Sequence, residues 1–173
     1  MDATQTDHSS HIRIRPLAHG EREPVRTVFA GMSQRSRYLR FHSPLPRLTS
    51  PTEKLLTDVD GRRHIALVAE LAGMSDWIPL GIGRIIVTGE GEAEVAFEVV
   101  DEWQGRGVGH RLLTALHRCA AEQGYHRVVA LVLAENRRAI ALVQSVFGEV
   151  AVRRLGPVME LTAPVPHTLA TAA

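Results

Sequence analysis

The sequence has few of the features that mark secreted, membrane or disulfide-linked proteins. It has a single cysteine, Cys119, so no disulfide bond can form within the chain. Its apolar runs are far shorter than the roughly 20 residues that span a bilayer. The first residues, MDATQTDHSSH, contain neither a basic start nor an apolar stretch, so they do not resemble a secretory signal. We therefore expect a cytoplasmic protein that does not contact a membrane.

Lysine and aromatic residues are also scarce. Lys54 is the only lysine, aromatic residues make up 5% of the chain, and the formal net charge is +1. No basic face with interleaved aromatic residues accompanies the arginines, so the sequence does not predict a nucleic-acid partner. The nine histidines show no HExxH or comparable ligand spacing, and we predict no metal site.

The most informative segment runs from Val95 to Leu113, VAFEVVDEWQGRGVGHRLL. Apolar and polar residues alternate before it and through its first part, which predicts a strand with two different faces. Apolar residues then recur at three- and four-residue spacing from Val108, which predicts an amphipathic helix. The three glycines between them allow close approach of the backbone to a ligand. Because the N–H groups of the helix's first turn favour an anion, and Arg106 adds a positive charge, this junction predicts a phosphate site.

Spacing separates three kinds of glycine-rich phosphate site. In a dinucleotide fingerprint, GxGxxG, the third glycine would fall on His110 or Leu112, and a Walker loop needs a Gly-Lys-Ser/Thr tripeptide that the sequence lacks. The pattern QxxGxG at Gln104–Gly109 instead resembles the pyrophosphate-binding motif of the GNAT superfamily, the acyl-CoA-dependent N-acyltransferases. Downstream, ENRRAIALVQSVFGEV is similar to this family's second cofactor segment, with the usual Gly-Phe pair inverted to Phe147-Gly148. The resemblance is strong from about Glu92 to Val150.

The remaining patterns predict one domain, and they agree with the α/β fold that this resemblance implies: a mixed, mostly antiparallel sheet with a splayed parallel strand pair and helices on both faces. We place the domain at residues 11–162, with residues 1–10 and 163–173 disordered. Strands are predicted at 11–15, 64–71, 80–88, 92–99, 127–133, 150–154 and 158–162, with a loop around Trp77. Helices are predicted at 21–32, 33–42, 51–58 with a Ser50 cap, from Val108 to Gly124, and after a cap at Glu135-Asn136.

The family resemblance implies acetyl-CoA as cosubstrate and no metal cofactor. The pantetheine arm of acetyl-CoA would pair with the backbone of Val99 and Val100 in the gap between the splayed strands. The residues that the resemblance assigns to cofactor binding are these two and Gln104, Gly105, Arg106, Gly107, Val108, Gly109, His110 and Asn136. For Asn136, an ordinary helix cap is an equally good interpretation.

Acyl transfer to an amine requires a base, because an amine of lysine type has a pKa of about 10.4 and must lose a proton before it attacks. Glu94 is our first choice, since AEVAF resembles the catalytic segment of protein lysine acetyltransferases in this superfamily. Glu98, on the same strand face, is the second choice. Val143 occupies the position where many members of the superfamily carry a tyrosine that donates a proton to the leaving group, so we assign no general acid. Cys119 lies on the apolar stripe of its helix, which favours direct transfer without a covalent intermediate.

The acceptor is predicted less sharply. The segments SRYLRFHSPLPRLT and HIALVAE resemble the N-terminal half of bacterial protein lysine acetyltransferase domains, which implies a protein lysine as acceptor. In that case Arg35, Arg37, Tyr38 and Arg40 would line the acceptor cleft and favour an acidic protein surface. A small-molecule amine and a non-catalytic acyl-CoA-binding sensor are the alternatives, and the protein would be a monomer or a homodimer.

Overall fold

The computed structural model describes residues 11–166, which form seven strands and five helices. The strands are β1 (Ile12–Pro16), β2 (His64–Ala72), β3 (Trp77–Gly89), β4 (Glu92–Val99), β5 (Arg127–Leu133), β6 (Ala151–Leu155) and β7 (Val158–Pro164). The helices are α1 (Glu23–Ala30), α2 (Gln34–Phe41), α3 (Ser50–Thr57), α4 (Val108–Glu122) and α5 (Arg137–Phe147). None of these helices is long and apolar enough to cross a membrane.

All strands form one mixed sheet in the order β1-β2-β3-β4-β5-β7-β6. Every neighbouring pair is antiparallel except β4 and β5, which are parallel. This pair is short, because its register runs only from Glu92 opposite Arg127 to Glu94 opposite Val129. Beyond Glu94 the two strands separate, although both continue for several residues. The predicted splayed parallel pair is therefore confirmed.

Helices cover both faces of the sheet, as the alternation along β2 demonstrates. Ile65, Leu67 and Ala69 belong to the core that contains the buried residues of α4 and α5. Ala66 and Val68, which point the other way, belong to a second core formed with α1 and α3. Successive side chains of a strand alternate between faces, so the two cores lie on opposite sides of the sheet.

The structure corrects two of the predicted boundaries. Trp77 begins β3 and does not lie in a loop, because the turn closes earlier, where the N–H of Gly73 donates to the carbonyl of Asp76 at 2.8 Å. Thr49, not Ser50, caps α3, since its side chain accepts from the N–H of Thr52.

The predicted disordered ends overlap the described residues only in part. Strand β7 extends to Pro164, and Val165 is buried with its N–H bonded to the carbonyl of His126 at 2.9 Å. The disorder predicted for 163–173 is therefore wrong for its first residues. The disorder predicted for 1–10, and that for 167–173, concerns segments outside the described residues.

Candidate functional site

A cavity of about 890 Å³ opens where β4 and β5 separate. Its walls come from the second half of β4, the glycine turn before α4, the middle of β5, the start of α5, and helix α2 across the mouth. Of the residues assigned from the sequence, it is lined by Glu94, Glu98, Val99, Gln104, Gly105, Gly107, Gly109, His110 and Asn136. The fold thus brings most of the predicted site into one cavity.

The peptide groups at the end of β4 face two directions. The N–H of Val100 donates to the carbonyl of Leu80 on β3 at 2.9 Å, and its own carbonyl accepts from the N–H of Trp103 at 3.0 Å. Because the peptide groups of adjacent strand residues point to opposite sides, those of Val99 face the gap left by β5. The N–H of Val99 is therefore directed to an extended ligand, although its carbonyl accepts from the side chain of Gln104, whereas both backbone groups of Val100 are bonded within the fold. The expectation for Val100 is corrected accordingly.

The three glycines of the turn do different things. Gly105 and Gly107 have φ of +73° and +82°, and a Cβ added at either would meet nothing within 4 Å. Their backbone is therefore bare toward open space, as a phosphate site requires. A Cβ at Gly109 would instead lie 2.9 Å from Cδ2 of Leu142 on α5. Gly109 lines the cavity, and a side chain there would displace the end of Leu142 where α4 packs on α5.

Helix α4 presents its N-terminal turn to the same cavity. Gly107 is the residue that precedes the helix, and no side chain among residues 11–166 caps that end. The first turn also has no acidic residue, so its partial positive charge is not offset there. The side chain of Val108 is fully buried, which leaves only its N–H for a ligand. Arg106 does not line the cavity; its guanidinium lies over the ring of Trp103 at 5.3 Å.

Helix α2 is docked onto this turn through its N-terminal end. The side-chain amide of Gln104 donates to the hydroxyl of Ser36 at 3.3 Å, to Asp101 at 3.0 Å and to the carbonyl of Val99 at 3.2 Å. The N–H of Ser33 donates to the other oxygen of Asp101 at 3.2 Å. Gln104 therefore fixes the end of β4 and the start of α2 relative to each other.

Glu98 is a buried structural carboxylate. It is 6% exposed, and the Nε of Arg40 on α2 donates to it at 2.6 Å. The guanidinium of Arg84 on β3, which is 1% exposed, lies 3.5 Å from its other oxygen. Burial lowers the pKa of Arg84, and the charge of Glu98 opposes that shift. Because it serves two guanidinium groups at once, Glu98 is a poor base, and we withdraw it as the second choice.

Glu94 has very different surroundings. It is half-buried, lines the cavity, and occupies the last paired position before β4 and β5 separate. No hydrogen bond to its carboxylate is present among residues 11–166. Its negative charge acts on His42, the residue that ends α2 and also lines the cavity. Of the two carboxylates predicted as base, only Glu94 has no hydrogen bond or ion pair within residues 11–166 and is available to a substrate.

The start of α5 carries one site residue that was predicted from the sequence, Asn136, and two that were not, Arg137 and Arg138. The side-chain oxygen of Asn136 accepts from the N–H of Ala139 at 3.2 Å, so the helix-cap interpretation is confirmed. Arg137 and Arg138 follow it in the first turn and line the cavity. Positive side chains are unfavourable at a helix N-terminus, because the helix dipole is positive there. Two adjacent arginines at that position are a sequence signal for an anionic ligand.

Of the four α2 residues that were predicted to line the acceptor cleft, Arg35 and Arg40 line the cavity, whereas Arg37 and Tyr38 do not. Arg35 pairs with Glu135 at 2.7 Å, and Arg40 pairs with Glu98. Arg37 donates to the backbone carbonyls of Phe29 and Pro46, and neither Arg37 nor Tyr38 lines the cavity. The charge of Arg40 is neutralised by a buried carboxylate and that of Arg35 by an exposed one, so these arginines give no support for an acidic target surface.

Cys119 and Val143 both belong to the core between the sheet and helices α4 and α5. Cys119 packs against the α4 and α5 side of the sheet, outside the cavity, and burial raises the pKa of its thiol. A thiolate nucleophile is thus disfavoured. Val143 is 2% exposed within the same core. No group of three potential metal-ligating side chains occurs in the part of the chain that the structure describes.

A family model matches most of the segment that forms this cavity. The model for the acetyltransferase (GNAT) family matches residues 35–148. The chain belongs to the GNAT family. GNAT acetyltransferases are acyl-CoA-dependent enzymes, and the glycine turn and the splayed strands described above lie within the matched segment.

Individual relatives agree with this assignment. An acetyltransferase of Pseudomonas aeruginosa is 28% identical over 132 residues, which are 76% of this chain and 71% of the relative. Acetyltransferase Pat of Mycolicibacterium smegmatis is 33% identical over 163 residues, covering 90% of this chain but 47% of Pat, so the chain spans about half of that relative. The crystal structure of the GNAT domain of S. lividans PAT superposes with a TM-score of 0.79 at 29% identity, covering 88% of this chain and 90% of that domain.

Proposed function

We propose that this GNAT protein transfers the acetyl group of acetyl-CoA directly to the side-chain amine of a protein lysine, with Glu94 as general base. The observation that carries the proposal is the position of Glu94. It is the half-buried carboxylate that lines the cavity at the point where β4 and β5 separate, and it makes no hydrogen bond within residues 11–166.

The donor half of the cavity fits coenzyme A. Among residues 11–166, two features suit the diphosphate: the backbone at Gly105 and Gly107, which no side chain covers, and the start of α4, which no side chain caps. Arg137 and Arg138 on the facing wall add two positive charges at the start of α5. The N–H of Val99, which faces the gap, suits an acceptor oxygen of the pantetheine arm or of its thioester. We therefore assign the phosphate contacts to the glycine turn and to the two arginines.

In the proposed reaction Glu94 takes a proton from the acceptor ammonium, directly or through a water molecule. The neutral amine then attacks the thioester carbonyl, and the N–H of Val99 stabilises the oxyanion. Collapse of the tetrahedral intermediate breaks the C–S bond and releases the thiolate of coenzyme A. A thiol has an ordinary pKa of about 8.5, so the thiolate can leave without a dedicated acid, in agreement with the buried Val143.

A protein lysine is supported as acceptor by the resemblance of SRYLRFHSPLPRLT and HIALVAE to bacterial protein lysine acetyltransferase domains. The similarity to Pat and to the S. lividans PAT domain supports the same choice. Incubation with labelled acetyl-CoA and a whole cell lysate tests it. Label should enter proteins at lysine; label that enters only small amines would replace the protein acceptor by a small-molecule one.

The Glu94→Gln variant tests the proposed base. It keeps the size of the side chain, so we expect acetyl-CoA affinity to change less than about twofold while the turnover number falls about 10²-fold or more, the usual range for loss of a general base. Turnover is followed by thiol release and affinity by calorimetry. The control is Glu90→Gln, which alters an exposed carboxylate in the turn between β3 and β4. Unchanged turnover in Glu94→Gln with intact binding would refute the assignment, and failure of wild-type protein to bind acetyl-CoA would refute the proposed function.

A further inference from the structure

His42 is a titratable residue that lines the cavity and has no role in the reaction proposed above. It ends helix α2 in the left-handed conformation, with φ of 57°. Within residues 11–166, no other non-glycine residue has a positive φ. Glycine or asparagine is the usual residue at such a helix end. A histidine there carries a backbone penalty of about 1–2 kcal/mol. His42 nevertheless occupies this position and lines the cavity.

The direction of α2 places His42 in the acceptor half of the cavity. The start of the helix, at Ser36, bonds to Gln104 of the phosphate turn. One turn later Arg40 bonds to Glu98, and His42 and Glu94 line the same cavity, near enough for the charge of Glu94 to act on the ring. Since β4 runs from Glu94 toward the phosphate turn, α2 lies antiparallel to it. His42 is therefore at the end of the cavity that is remote from the phosphates and adjacent to the proposed base.

The position of His42 is fixed by the buried ion pairs beside it. Arg40, two residues earlier, is anchored to Glu98, which in turn faces Arg84 on β3. The N–H of His42 donates to the carbonyl of Tyr38 at 2.9 Å, which closes the last turn of α2. Its ring makes no hydrogen bond within residues 11–166, so both nitrogens are available.

The surroundings of the imidazole lower its pKa and so favour its neutral form. Burial is the main cause that lowers the pKa of His42, and the positive charge of Arg40 lowers it further, whereas Glu94 opposes them. The charged groups nearest this end of the cavity are Arg40 on α2, Glu94 and Glu98 on β4, and Arg84 on β3. The other titratable groups, His110 on α4 and Glu135 after β5, line the end at the phosphate turn, where Glu135 pairs with Arg35 at the start of α2. A neutral imidazole can accept a proton, and the adjacent carboxylate stabilises the imidazolium that forms.

The acceptor nitrogen must lose two protons in the proposed reaction. Glu94 takes one before attack, and the nitrogen still carries an excess proton once the N–C bond has formed. We propose that His42 takes this second proton. One of the two protons then reaches the departing thiolate and the other reaches solvent, so the products are an amide, a thiol and one released proton. This inference rests on the proposed function, because it presupposes transfer to an amine.

The His42→Asn variant tests it, because asparagine suits the left-handed helix end and lacks a titratable ring. We expect turnover at pH 7 to fall about 10- to 100-fold, toward the lower range of general-base effects, with the KM for acetyl-CoA unchanged. Added imidazole should restore part of the activity. The control is His19→Gln, which alters an exposed ring paired with Asp58. Turnover within twofold of wild type, or no rescue by imidazole, would overturn the assignment.

A second measurement does not depend on acetyl transfer. NMR titration of the His42 ring in the full chain should give a pKa below the ordinary value of about 6.5, and Glu94→Gln should lower it further, because a negative neighbour is removed. Glu90→Gln should leave it unchanged. An unaltered His42 pKa in Glu94→Gln would overturn the pairing even in an active enzyme. Conversely, an inactive wild-type protein with the expected titration would refute only the proposed function.

Discussion

Glu98→Gln should unfold this protein at a markedly lower temperature than Glu94→Gln, although the two glutamates lie on one face of the same strand. The substitution leaves Arg84, at 1% exposure, without its negative neighbour, and Arg40 without its charged hydrogen-bond acceptor. Removing one partner of a buried ion pair costs about 3–5 kcal/mol. At about 2–4 °C per kcal/mol for a chain of this size, the melting temperature should fall by about 6–20 °C.

The assay is urea unfolding followed by circular dichroism, with thermal unfolding as a second measure. Glu94→Gln serves as the matched reference, because Glu94 makes no hydrogen bond within the described residues and should change the free energy of unfolding by less than about 1 kcal/mol. The double variant Glu98→Gln with Arg84→Met should regain part of the loss, since it also removes the buried positive charge.

Two results would refute this reasoning. If Glu98→Gln lost less than about 1 kcal/mol, the pairs with Arg40 and Arg84 would be no stronger than exposed salt bridges. If the double variant were less stable than Glu98→Gln alone, Arg84 would stabilise the fold through its hydrogen bond to the carbonyl of Leu56, at 2.6 Å, more than its buried charge destabilises it.

Two other predictions follow from charges described above. Replacing both Arg137 and Arg138 by Gln should weaken acetyl-CoA binding about 10-fold or more at low salt and reduce its salt dependence, as measured by calorimetry at two salt concentrations; equal affinity would remove them from the phosphate site. The free energy of unfolding should decrease as pH falls below about 6.5, because burial lowers the pKa of His64 and His117, so the unfolded chain binds protons that the folded chain does not. A flat profile between pH 7 and 5 in urea unfolding would contradict it, and His117→Asn should reduce the slope.

Local patterns were sufficient to predict most of the fold. Strand β5 has the predicted bounds, and the parallel pairing of β4 with β5 follows from the strand-turn-helix-strand order. Trp77 was misplaced because the sequence does not indicate how early a hairpin turn closes. It begins β3 with its ring under the guanidinium of Arg13, at 3.8 Å, and that contact joins segments far apart in the chain.

The site was predicted well where it depends on backbone and poorly where it depends on distant side chains. The glycines at 105 and 107 are bare toward open space, as their spacing indicated. No pattern within β4 separates the roles of Glu94 and Glu98, since both occupy the same strand face. Their difference arises from Arg84 on β3 and from Arg40, 58 residues away, which meet only in the folded chain.

The alternation along β4 explains how one strand can bear a core, a ligand-binding edge and a base. Its odd-numbered residues bury apolar side chains against α4, and their peptide groups face β5 until that strand diverges. The gap therefore exposes backbone at Val99 without opening the core. The even-numbered residues project toward α2, where Arg40 neutralises Glu98 and the helix ends at His42 beside Glu94. Because α2 is anchored both at Gln104 and at Glu98, a change at either anchor should shift His42 relative to Glu94 and so alter catalysis without touching either residue.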